Sequence, residues 1–187
     1  DTNPFSDIRA DTLAYQFNDA AASLEFEISY KLRGGLAGSG NSDLAETIVI
    51  RNTGTAAQTV SFFQYVDFDL GNTIGGDEVW IENGRVAFQN EVGGGIYMTE
   101  TVVAPAPTAF EVGIYPNTLN RFGNGVVDTL SNNAGPVVGD ATWAFQWDFV
   151  VQPGSQFTIS KDKLIIPTPG ALALLGLGGL VAGRRRR

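Results

Sequence analysis

Four carboxylates fall between positions 67 and 78: Asp67, Asp69, Asp77 and Glu78. Residues two apart on a strand point to the same side, so Asp67 and Asp69 are expected to project together. Two adjacent carboxylates repel, and a bound cation relieves that repulsion. Ca²⁺ takes about six to eight oxygen ligands, and the glycine-rich loop over 71–76 offers carbonyls to complete such a set. Calcium is therefore the one cofactor the sequence raises, with Asp77 or Glu78 expected to return towards Asp67 and Asp69. The competing reading is an acidic strand end kept soluble by its charge.

Other chemistries are excluded or left with little support. The chain has neither histidine nor cysteine. That removes Ser-His-Asp and Cys-His catalysis, thiolate and histidine-ligated metals, and disulfides. A carboxylate-based glycosidase needs two carboxyls facing each other across a cleft, about 5–9.5 Å apart, which sequence spacing does not measure. Aromatic side chains can stack on sugar rings, and Tyr65, Tyr97 and Tyr115 offer flat surfaces of that kind. Trp80, between Val79 and Ile81 beside a hairpin, is the aromatic most expected at the surface for a sugar contact. Trp143 and Trp147 share a strand face with Phe145 and Phe149, with Gln146 and Asp148 on the other, which reads as core.

These side chains must be carried by strands. With 187 residues, 23 of them glycine, the chain fits one β domain plus an appendage. Apolar and polar residues alternate over 23–31 and 143–151, and aromatic or β-branched runs occupy 47–51, 58–70, 96–103, 110–115 and 156–160. Asn83-Gly84 between apolar runs 79–81 and 86–88 predicts a hairpin with a type I′ turn. Single helical turns are expected at 118–122 and 128–132. The expectation is an all-β, antiparallel sandwich of about nine strands, jelly-roll-like, over residues 1–163.

Charge and composition change at the C-terminus. Four of the 12 basic residues are the last four, Arg184, Arg185, Arg186 and Arg187, so the rest of the chain sets 8 basic residues against 20 acidic ones. A body so acidic is repelled by phosphate backbones, and nucleic acid is not an expected partner. Residues 170–183 contain no polar side chain. As a helix they would span about 21 Å, short of a bilayer core of about 30 Å, with arginine snorkelling able to extend their reach. The arginines are expected on the cytoplasmic side, with everything before Pro167 outside. Residues 1–7 carry neither a basic n-region nor an apolar h-region, so the chain is expected to begin after a removed signal peptide.

Pro167, Thr168 and Pro169, the apolar run and the arginine cluster together resemble the PEP-CTERM sorting signal, with threonine in the middle of the proline motif. Segments 43–47, 61–65 and 143–147 are loosely similar to the globular parts of other PEP-CTERM proteins. The resemblance implies a sorting signal over 164–187, recognised by an exosortase-like membrane protease at the inner membrane. It also implies transient anchoring through a C-terminal hydrophobic helix, then placement on the cell surface or in the exopolysaccharide matrix of a Gram-negative-type bacterium. A structural or adhesive role in such a biofilm matrix, possible contact with exopolysaccharide included, is the leading expectation. A Ca²⁺-dependent carbohydrate-binding module is the first alternative and a glycan-active enzyme the second.

Overall fold

The computed structural model describes residues 11–36 and 39–167. The described residues form eleven strands: β1 (Thr12–Asp19), β2 (Leu24–Gly34), β3 (Ser42–Asn52), β4 (Gln58–Val66), β5 (Asp77–Glu82), β6 (Val86–Glu91), β7 (Ile96–Ala104), β8 (Ala109–Ile114), β9 (Val137–Gly139), β10 (Ala141–Val151) and β11 (Gln156–Pro167). One short helix, α1 (Asn117–Phe122), and a 3-10 turn over Leu70–Asn72 join them. An eight-stranded sheet runs β1-β2-β3-β11-β7-β6-β5-β9 and a three-stranded sheet runs β4-β10-β8. Every strand pair is antiparallel. The layers are uneven, where a jelly roll divides eight strands between two sheets.

The core lies between the layers, as the alternation predicts. Trp143, Phe145 and Trp147 of β10 are fully buried against Ile48, Ile50, Ile159, Met98, Val102 and Val79 of the large sheet. Phe149 continues the stripe and stacks on Phe157 of β11, with ring centroids 3.7 Å apart. The predicted hairpin is present. Asn83 and Gly84 both have positive φ, 52° and 66°, and the Arg85 N–H donates to the Glu82 carbonyl at 3.1 Å. A Cβ at Gly84 would lie 2.8 Å from Phe110 of the opposite layer, so the tip fits only without a side chain. Arg85 then donates to the carbonyls of Val102 and Val103, at 2.9 and 2.6 Å, where the β7–β11 register shifts.

The segment after β8 straps the outer face of the small sheet. Buried Glu111 accepts from Thr118 Oγ1, Arg121 Nη2 and the Ser131 N–H, at 2.7, 2.8 and 2.9 Å. Burial alone would raise this carboxyl; those donors and the Arg121 charge hold it below the usual range. The Leu130 N–H donates to the buried Gln146 amide oxygen at 2.9 Å. These bonds hold the backbone over 128–132 in an irregular path, with φ +59° at Asn132, so the helical turn expected there does not form, whereas the one at 118–122 does, as α1.

Two strands differ more from expectation. Residues 12–19 form β1, an edge strand. β11 runs unbroken through Lys161, Asp162 and Lys163 and past residue 163, pairing with β3 and β7 as far as Ile165 and Pro167. The lysines point into the core because carboxylates meet them there. Lys161 Nζ lies 2.8 Å from Glu46 of β3 and 3.3 Å from Glu100 of β7, and Lys163 Nζ lies 3.3 Å from each. The Trp143 indole N–H donates to Glu100 at 3.2 Å. Burial would raise the Glu46 carboxyl, but Lys161 and Lys163 overcome it and hold it low. Burial pushes the Lys161 ammonium down, against the pull of Glu100.

Phe145 is wholly enclosed. Phe145→Ala should therefore lower the unfolding free energy by about 3–5 kcal/mol, the range for truncating a buried aromatic. Urea denaturation followed by tryptophan fluorescence measures it; a loss under about 1 kcal/mol would contradict the packing.

Candidate functional site

The acidic residues singled out by the sequence sit around the turn between β4 and β5, but they do not converge. Among the described residues no three acidic side chains come close enough to hold a metal ion. The reason is local. Asp77 and Glu78 are consecutive on β5, so their side chains leave opposite faces of the sheet. Asp77 turns inwards, only 2% exposed, and accepts from Gln89 Nε2 at 2.8 Å and the Leu70 N–H at 3.3 Å. It serves as the anchor of the 3-10 turn. Glu78 faces out beside Trp80. Asp67 accepts from the Tyr65 hydroxyl at 3.5 Å, and burial, then the charges of Asp140 and Asp69, raises its carboxyl. The calcium expectation for Asp67, Asp69, Asp77 and Glu78 thus meets a dispersed arrangement rather than a coordination shell.

Asp162 of β11 and Asp43 of β3 are neighbours on the outer face of the large sheet. Burial raises the Asp162 carboxyl most, then its interaction with Asp43, with Arg33 opposing.

Trp80 is half-buried rather than fully exposed. Its ring stacks on Phe88 of β6, with centroids 5.0 Å apart and planes 9° off parallel, and Phe88 lies 6.0 Å from Tyr97 of β7. The indole N–H donates to Glu82 at 3.2 Å. These cross-strand contacts cover one face of the indole. Beside it opens a shallow cleft of about 400 Å³, bounded by Glu78, Trp80 and the Ala134-Gly135-Pro136 backbone. That backbone approaches closely because Gly135 has φ +79° and a Cβ there would meet the Val79 carbonyl at 2.7 Å. Phe88 and Pro136 were not legible as partners of Trp80, since cross-strand pairing depends on register.

A second cleft, about 330 Å³, lies outside the small sheet between Phe63, Tyr65, Phe122 and Val126, Val127 and Asp128. It is apolar and follows from the strap that Glu111 pins. Of the residues expected to form a sorting signal, Pro167 closes β11, while Thr168, Pro169, Arg184, Arg185, Arg186 and Arg187 lie outside the described residues, as does the apolar run 170–183. No helix among the described residues is long and apolar enough to cross a membrane.

No family model matches the chain, and no curated protein does. Solved structures do match by shape. One is a protein provisionally named a kojibiose phosphorylase, from the human microbiome, at a TM-score of 0.41 and 6% identity over 94% of this chain. The present chain spans 21% of that protein's length. No residue correspondence follows at that distance.

Asp77 supplies a test of the site's electrostatics. Burial raises its carboxyl above the usual range, with the Leu70 and Gln89 bonds only partly opposing. The folded state therefore holds this proton more tightly than the unfolded one, and stability contributed by Asp77 falls as pH rises through the window above 3.8. Asp77→Asn should keep both accepted bonds and offer a donor to the Gln89 amide oxygen, which is buried without a partner. The variant should be more stable than the parent at pH 7 and converge with it near pH 3 in urea titrations. A less stable variant at both pH values would show that the carboxylate is held charged.

Proposed function

We propose that the chain is an exported bacterial protein of the cell surface or exopolysaccharide matrix, with a structural or adhesive role. Its residues 164–187 would act as a PEP-CTERM-like signal for an exosortase-like protease: Pro167, Thr168 and Pro169, a transient hydrophobic membrane helix, and the four arginines. The body would be the jelly-roll-like cargo. One observation carries this reading. β11 occupies the middle of the eight-stranded sheet and ends at Pro167, so the apolar run 170–183 follows strands whose pairing partners are already in place. The dispersed carboxylates of the body favour structure or binding over catalysis. Mass spectrometry of surface protein from the native host tests the sorting step. The expected chain ends before Gly170; intact Arg187 in most of the surface protein would overturn it.

A second reading, carbohydrate contact, is favoured by the cleft beside Trp80. A pyranose could rest on the uncovered indole face with Glu78 accepting from its hydroxyls. A glycan array should then show binding that survives EDTA and is lost in Trp80→Ala. No binding by the parent chain would leave the structural role alone.

A further inference from the structure

The large sheet is five strands wider than the small one, and the excess shows at β1. Leu13, Tyr15 and Phe17 alternate on the inner face, where their pairing partners Tyr30, Ile28 and Phe26 approach or join the core. Yet Leu13, Tyr15 and Phe17 are 55, 45 and 47% exposed. They pack along the strand: Phe17 stacks on Phe26 with ring centroids 4.6 Å apart, and Tyr15 lies 6.3 Å from Phe17.

β1 is also a terminal strand of its sheet. Edges of this kind are normally blunted by lysine, proline or a bulge. From Thr12 to Asn18 there is no charged residue and no proline, and the eight-residue register with β2 is unbroken. An apolar row and an unguarded edge on one strand specify a β-strand as occupant rather than a helix or a small ligand.

We infer that the occupant is the β1 strand of a second copy of this chain, paired antiparallel about a two-fold axis through Tyr15 so that the large sheets of two copies run on as one. A two-fold perpendicular to the sheet makes the joined strands antiparallel and keeps both inner faces on the same side. An isologous contact requires a self-complementary surface, and β1 is one. With Tyr15 opposite Tyr15, Leu13 of each copy meets Phe17 of the other on the inner face, and Ala14 meets Gln16 on the outer face. Opposed side chains of this kind are the unit that stabilises antiparallel pairing. The one like-charged meeting, Asp11 with Asp19, falls beyond the ends of the apolar row. This goes beyond the proposed cell-surface role, since it holds or fails whatever becomes of the tail.

The absence of cysteine makes the test direct. In the full chain, Tyr15→Cys should oxidise to a covalent dimer in moderate salt, which screens the Asp11–Asp19 meeting. Opposed residues on antiparallel strands lie within disulfide range. Held in place, they should react roughly tenfold or more faster than an unpaired exposed position. Ile74→Cys, on the exposed turn before β5, and Gln16→Cys, which meets Ala14 rather than itself, serve as controls and should stay monomeric. Unchanged circular dichroism would show that the exposed substitution leaves the fold intact. Tyr15→Cys cross-linking no faster than Ile74→Cys would overturn the proposal. That result covers association through the apolar tail alone and coverage of β1 by residues 1–10 of the same copy. Preferential cross-linking at Gln16→Cys would overturn the Tyr15-centred register. Adding Phe17→Lys to Tyr15→Cys should abolish the faster reaction; its persistence would count against the pairing as well.

Discussion

The four charges of Glu46, Glu100, Lys161 and Lys163, buried between the layers, constrain everything around them. They balance to zero, and each lysine lies within 3.3 Å of both carboxylates. Removing one partner from a buried group of this kind typically costs about 3–5 kcal/mol, because the remaining charge is stranded. A one-residue slip of β11 against β3 or β7 would turn both lysines to the outer face and leave the two glutamates alone. The cluster therefore discriminates one register of three adjacent strands from its neighbours, which an all-apolar stripe of similar volume would do less sharply. The β7 register shift beside Lys161, held by Arg85 from the β5–β6 hairpin, brings the next two strands into the same arrangement.

The same physics separates inside from outside. Glu46 and Glu100 are buried with cations beside them, whereas buried Asp77 has only amide donors. The carboxylates around the β4–β5 turn stay dispersed for local reasons. Asp77 is committed to holding Leu70 and Gln89, Glu78 faces away from it, and Asp67 and Asp69 are left at the rim. The surfaces proposed for recognition are instead aromatic and strand-edge: the indole beside Pro136 and the open side of β1.

Much of the fold was legible in the sequence where period and turn chemistry agreed. The Trp143-to-Phe149 alternation predicts a buried central strand, and Asn83-Gly84 predicts a hairpin whose two residues need positive φ. β1 carried an equal signal, Leu13, Tyr15 and Phe17 at alternate positions, though its apolar face is only half covered. Lys161 and Lys163 mislead because a charged pair reads as the end of a strand unless its partners are known, and those partners lie about a hundred residues away on one side and sixty on the other. The site was less legible for a similar reason. Asp77 and Glu78 look like a pair in the sequence, but neighbours on a strand diverge, and Gln89, the true partner of Asp77, is set by the β5–β6 register.

The place of β11 has a consequence for the order in which the molecule can be assembled. A chain that emerges N-terminus first delivers β1-β2-β3 and then β5-β6-β7 as two separate ribbons, with Glu46 in one and Glu100 in the other. Neither ribbon can bury its glutamate, since both cations arrive on the last strand. Closure of the large sheet waits for β11 to enter as a keystone, and contacts this distant in sequence form slowly. Until β11 is available, the polypeptide is held in an open state, and tertiary structure becomes a record that this strand has arrived.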